Sequence, residues 1–242
     1  MIDTATIITS VTKNQLVKSF GGADYQPLKF SPGSEFLVFQ QPVHDLQSLA
    51  SVIGGLEIEP TKTVIRGLPL LPENEPVARL SQNFSTTSHH WCMIDIDSLP
   101  WDGDLHDHKA MLEYASSQLP AEFQQADCWY HFSSGMGIKP GIRVHLWHWL
   151  ERQCSDVEVK AWLSGCPVDL RLFNLIQIHL TANPQFTEGA TDPDLNRFGM
   201  FEAGHQTTTV TVPNDLESRA LSLRARSKPR SKSKSGSLDP IE

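Results

Sequence analysis

The chain has 242 residues, 39% of them hydrophobic and 20% charged; that allows one sizeable core or two small ones, and no stretch approaches the roughly 20 apolar residues that cross a bilayer. The N-terminus, MIDTATIITSVTKNQ, lacks the basic and apolar regions of a secretory signal, and four cysteines without CxxC spacing (Cys92, Cys128, Cys154 and Cys166) argue against a disulfide framework and structural zinc, so a reducing cytoplasmic setting is expected. The net charge of −8 is uneven: residues 1–218 carry 13 Lys and Arg against 26 Asp and Glu, while residues 219–242 carry 7 against 2, a balance compatible with nucleic-acid binding but not announcing it.

Residues 1 to about 60 mix a weak helical pattern with turns, and Phe36 to Phe39 read as a short strand. Asp45 to Ile53 carries Leu46, Leu49 and Ile53 at spacings of three and four, which predicts a helix that Gly54 and Gly55 end. Thr63 to Ile65 is β-rich and stopped by Gly67, and residues 68–90, with Pro69, Pro72 and Pro76, read as loop. An apolar strand follows over Trp91 to Asp97, then a helix over His108 to Leu119 and a strand over Cys128 to Phe132 that runs into Ser133-Ser134-Gly135. Ile142 to Leu150 is a strong strand, and Val157 to Leu163 is helical. Asp169 to Thr181 is apolar enough for a further helix, and Arg197 to Phe201 and Thr207 to Val212 are late strands. From Ser218 onward the chain is Ser/Lys/Arg/Pro low complexity, so we expect a globular body over 1–218 and a basic disordered tail or linker over 219–242. Strands and helices alternate only loosely, which makes the fold class α+β or mixed α/β.

The chemistry concentrates at three places. Asp95 and Asp97 end the apolar strand two residues apart, so both project from one face. Paired carboxylates at a low-dielectric edge repel each other, and a divalent cation with oxygen ligands is the usual remedy. Arg143 and His145 are also two apart on one strand, fed by the small-residue turn of Ser133, Ser134 and Gly135. Asp169 is an isolated acid before an apolar segment, where it could equally cap a helix. Three carboxylates with an Arg and a His suit two-metal phosphoryl transfer, in which cations activate a hydroxyl and directional donors hold a triphosphate. Each piece alone has a plain reading: turn-forming acids at a strand end, a packing histidine, a helix cap.

The combination resembles the archaeo-eukaryotic primase superfamily, especially the primase–polymerase domains in replication proteins of plasmids, phages and integrated mobile elements. The family's apolar strand ending in D-x-D is here MIDID; its Ser-rich turn and His-bearing strand is YHFSSGMGIKPGIRVHLWHW; its third acid lies in VDLRLFNLIQIHLTANP. The resemblance spans about residues 60–200 and extends to Val64-Ile65-Arg66-Gly67 and to Gln177…Thr181-Ala182-Asn183-Pro184. In one departure, the residue two before His145 is Arg143 where the family's motif has serine, which leaves a serine role to Ser133 or Ser134. His106 and His108 have no cysteine pair beside them, so no zinc module is read.

The resemblance implies an RRM-like antiparallel sheet beside a smaller α/β unit, with the active site in the cleft between them. It implies Asp95, Asp97 and Asp169 as catalytic ligands of Mg²⁺ or Mn²⁺, and His145, with Arg143, Ser133 and Ser134, as nucleotide contacts. Arg66, Arg79, Lys139 and Arg171 are further candidates for contact to nucleotide or template, and Arg171 reads equally as a plain surface residue. The implied activity is DNA-templated nucleotidyl transfer, a DNA primase or polymerase, with single-stranded DNA, an NTP or dNTP and a replicative helicase in cis or in trans as partners. No Walker P-loop lies in the chain, so any motor is elsewhere. Rival readings are a metal-dependent nuclease, a glycosyltransferase using D-x-D, a rolling-circle initiator and a non-catalytic nucleic-acid-binding module. The initiator is weakened because His145 and His148, three apart, fall on opposite strand faces.

Overall fold

The computed structural model describes residues 2–12, 14–72, 75–187, 189–193 and 196–211. The expected basic tail, residues 219–242, lies outside the described residues. The first half is built of β1 (Asp3–Ser10), β2 (Ser19–Gly21), β3 (Gln26–Pro27), β4 (Glu35–Val43) and helix α1 (Leu46–Gly55). Four more strands follow: β5 (Lys62–Ile65), β6 (Leu68–Pro69), β7 (Val77–Ala78) and β8 (Phe84–Ser85). The second half runs β9 (His89–Leu99), α2 (His108–Ser117), α3 (Ala121–Gln124), β10 (Cys128–Phe132) and β11 (Ile142–Cys154). It ends with α4 (Asp156–Trp162), β12 (Gln185–Thr187) and β13 (Phe198–Phe201). The architecture is mixed α+β, with two four-stranded antiparallel sheets, β5-β1-β4-β7 and β13-β10-β11-β9.

The period-2 geometry of β9 and β11 sets the layers. Cys92, Ile94 and Ile96 of β9, with Val144, Leu146 and Leu150 of β11, join one core with Met111 and Ala115 of α2, Phe123 of α3 and Val159 of α4. The intervening residues Trp91 and Met93 of β9, and Trp147 and Trp149 of β11, join a second core with Leu46, Leu49 and Ile53 of α1 and with Ala5 and Val64 of the other sheet. Both faces are covered along most of the strand, which is why the apolar run is nearly continuous in sequence. Only at the ends of β9 and β11 do the intervening positions turn polar, and there the second layer leaves a cavity.

Several elements match their sequence patterns. In α1, Asp45 caps the N-terminus through the Ser48 N–H at 2.7 Å and Ser48 closes the box, while Gly54 and Gly55 form the last turn. The Cys128 to Phe132 strand has the expected bounds. The N-terminal segment, expected to be weakly helical, is instead β1; Thr4, Thr6, Ile7, Ile8 and Thr9 are β-branched and pair with β4 and β5. The loop over 68–90 contains the short strands β6, β7 and β8. Thr207 to Val212 makes no strand among its described residues, only an isolated bridge from Thr208 to Leu150.

The helix expected over Asp169 to Thr181 is also absent. A 3₁₀ turn, Leu170–Phe173, ends at Asn174, and the chain then extends. The His179 N–H donates to the Val64 carbonyl at 2.8 Å, so β5 captures the segment. Leu175, Ile176, Ile178 and Leu180 pack on a third core with Ile8, Phe36 and Ile65. The gain from burying β-branched residues against a strand here outweighs the weak helical pattern. Gly67 permits that approach: a Cβ there would stand 2.8 Å from the Leu175 carbonyl oxygen.

Candidate functional site

The odd-numbered face of β9 passes from Trp91 and Met93 to Asp95 and Asp97, and that of β11 from Trp149 and Trp147 to His145 and Arg143. Asp95 pairs directly with His145 across the strands, and the His145 Nε2 lies 3.5 Å from the Asp95 Oδ1. Beyond them the ladder bulges. Ile96 pairs with Val144 and Leu99 with Ile142, so Asp97 and Ser98 together oppose Arg143. Ser98 takes a positive φ of 66° at this bulge, and the Arg143 guanidinium donates to both the Asp97 carboxylate and the Ser98 hydroxyl.

Asp169 arrives from the loop after α4. Its backbone N–H donates to the Asp95 carbonyl at 3.0 Å, which fixes it beside the end of β9. Its carboxylate accepts from the Arg171 N–H at 2.9 Å and so caps the 3₁₀ turn, and the Arg171 guanidinium grips the same carboxylate through Nε (2.9 Å to Oδ1) and Nη2 (2.7 Å to Oδ2). Asp169 thus caps a 3₁₀ turn rather than an α-helix, and it lies beside the end of β9.

These residues line one cavity of about 330 Å³. Its polar wall holds Asp95, Asp97 and Asp169 with Lys18, Lys139, Arg143 and Arg171, and also His131, His145, Ser133, Ser134 and Gly135. Its apolar wall holds Phe20, Phe30, Met93, Leu172, Ile178 and Leu180. The serine turn is held by the Ser133 N–H donating to the Arg143 carbonyl at 2.8 Å. A Cβ at Gly135 would stand 3.0 Å from the Arg143 Cδ, so glycine lets the turn lie against that side chain.

Two of the sequence-derived contacts are elsewhere. Arg66 is 1% exposed; its Nε meets the Asp156 Oδ1 at 2.8 Å, its Nη1 donates to the Trp91 carbonyl, and it lies over the Trp91 ring. Arg79 donates to the Ile176 carbonyl at 2.7 Å and lies over Phe36. Neither lines the cavity: Arg66 is a buried tie between α4 and β9, and Arg79 reaches the 175–180 segment outside it. Conversely, Lys18 and His131 line the cavity without standing out in the sequence. His131 pairs across from His145, with ring centroids 5.7 Å apart, and period-2 reading of the Cys128 to Phe132 strand could have found it. Lys18 precedes a three-residue strand and carries no local signal.

Burial, followed by repulsion from Asp97 and Asp169, pushes the Asp95 carboxyl up to about 7. Arg171 holds Asp169 below the usual carboxylate range. Burial pushes His145 down to about 4 and His131 to about 3, so both rings are neutral at pH 7. Among the described residues, no three His, Cys, Asp or Glu side chains are already gathered as a metal-binding group. Asp97 and Asp169 turn instead to Arg143 and Arg171. Three carboxylates at one cavity wall are nevertheless the oxygen ligands that Mg²⁺ or Mn²⁺ takes, and Asp95 is buried beside the two other acids. No helix among the described residues is long and apolar enough to cross a membrane.

No family model matches the chain, and no solved structure matches it. The chain is 26% identical to a protein of Escherichia phage T5 named "Putative replication origin binding protein", over 175 aligned residues that take in 62% of this chain. The chain spans 18% of the length of that phage protein.

Proposed function

We propose that this chain is a DNA-templated nucleotidyltransferase, a primase–polymerase domain of the archaeo-eukaryotic primase kind, acting in DNA replication. The observation that carries the reading is convergence: Asp95, Asp97, Arg143, His145 and Asp169 come from three separate segments and line one cavity. The likeness to the phage T5 protein supports a replication role and DNA as partner. A four-stranded antiparallel sheet with α2, α3 and α4 on one face, and α1 and a second sheet on the other, suits the proposed family's core.

In this reading Asp95, Asp97 and Asp169 hold Mg²⁺ or Mn²⁺, which would lower the pKa of the attacking hydroxyl and neutralise phosphate charge. Lys18, Lys139, Arg143 and Arg171 give the triphosphate its cationic bed. Neutral His145 donates one hydrogen bond to a phosphate oxygen. The apolar wall of Phe20, Phe30 and Leu180 takes the base. A primer 3′-hydroxyl, or that of a first nucleotide, bonds to the α-phosphate and pyrophosphate leaves. A helicase in cis or in trans would supply the single-stranded template.

A second reading, a non-catalytic DNA-binding module, is favoured by the phage protein's name and by the two arginines seated on the acids. Labelled NTPs and dNTPs with Mn²⁺, offered on primed and unprimed single-stranded DNA, separate the two. Template-dependent incorporation supports the enzyme; DNA binding without incorporation on either substrate supports the module.

A further inference from the structure

We infer that Arg171, with Arg143 behind it, clamps the acidic site shut when it is empty and passes to the triphosphate when nucleotide enters, so that metal and nucleotide bind as a coupled pair. The inference rests on the nucleotidyl-transfer reading of this cavity. Two of the three carboxylates carry a guanidinium: Arg171 grips both oxygens of Asp169, and Arg143 bridges Asp97 and Ser98. An occupied carboxylate cannot also ligate a cation through the same lone pairs.

Phosphate oxygens offer the same bidentate acceptor geometry as a carboxylate. A triphosphate in the cavity would therefore give both arginines an alternative partner and free Asp97 and Asp169 together. The two arginines are held differently. The Arg171 side chain is 82% exposed, and exposed pairs are weakly held, whereas that of Arg143 is 11% exposed. Arg171 is the one poised to exchange, and its exposure makes it a substitution the fold will tolerate.

Calorimetric titration of Mn²⁺ into the full chain tests this, with and without a non-hydrolysable deoxynucleoside triphosphate analogue. Arg171→Ala is expected to bind Mn²⁺ alone about 3- to 5-fold more tightly than wild type, the range open to an exposed pair. The enhancement of Mn²⁺ binding by nucleotide should fall by a similar factor, because coupling is reciprocal. Arg171→Lys separates a clamp from a general field effect, since it keeps the charge and loses the fork. The clamp predicts Mn²⁺ affinity near that of Arg171→Ala; affinity equal to wild type overturns it. Mn²⁺ binding that Arg171→Ala leaves unchanged or weaker also removes the clamp and leaves the enzyme reading standing. Failure of every variant to bind Mn²⁺, nucleotide present, removes the metal site and the nucleotidyl-transfer reading with it.

Discussion

Asp95 is the residue on which the site turns. Its side chain is 19% exposed and sits among two other acids, and it keeps its proton up to about pH 7, against an ordinary value of 3.8 outside the fold. A carboxyl whose pKa is raised by folding contributes stability that is fully present below the unfolded value and lost as the pH climbs through the folded one. The metal-free protein should therefore lose stability between about pH 4 and pH 7. Asp95→Asn should raise the Tm in EDTA at pH 8 by about 8–16 °C and change it little at pH 4. Mn²⁺ should raise the wild-type Tm at pH 8 and not that of Asp95→Asn; scanning calorimetry at the two pH values checks both signs. At His145, a neutral ring donating to a charged phosphate is worth about 1.5–3 kcal/mol. His145→Ala should then raise the KM for nucleotide at least about 10-fold while the Tm holds within a few degrees. An unchanged KM would take His145 out of the site.

At the scale of elements, Arg66 and Gly67 show what charge and spacing concealed. Arg66 reads in sequence as a basic group free to meet nucleic acid. In the fold its guanidinium joins α4, through Asp156, to the Trp91 carbonyl of β9, under aromatic rings. Removing one partner of a buried pair costs about 3–5 kcal/mol. Arg66→Ala should thus lower the Tm steeply and leave the KM of the surviving folded fraction near wild type; lost nucleotide affinity at full stability would contradict this placement. Gly67→Ala would drive a Cβ into the Leu175 backbone and shift the following 177–180 segment, part of the cavity wall. Its expected signature is a raised KM together with lower stability. The acids and the Arg143–His145 pair are legible in sequence because a strand's period of two survives burial on both faces. Asp169 is legible mainly through the family resemblance, since its local sequence promises a helix that β5 displaces. Lys18 is set beside them by tertiary placement, which no local pattern encodes, whereas the period of two of its own strand places His131 directly across from His145.

For the whole molecule, the two-layer arrangement explains why the cavity is where it is. Tryptophans and α1 fill the space behind β9 and β11 until the sequence switches to acids and cations, and residues from 18–30 and 169–182 line the remainder. Residues 1–218 are acidic overall, so the DNA binding we propose has to be local to the cavity's cations or come from residues 219–242, with 7 Lys and Arg against 2 acids. Deleting 219–242 should weaken binding to single-stranded DNA and flatten its salt dependence, by about 0.7 in log–log slope for each phosphate that the tail neutralises. Binding and slope that survive the deletion would place the whole DNA interface in the body.

The most direct test of the proposed nucleotidyl-transfer site is primer synthesis on unprimed single-stranded DNA with labelled nucleotides and Mg²⁺ or Mn²⁺, wild type beside Asp95→Ala/Asp97→Ala. The account predicts short metal-dependent products from the wild type, none from the double variant, and DNA binding by both. Products that persist in the double variant would contradict it, because the chemistry would then lie elsewhere.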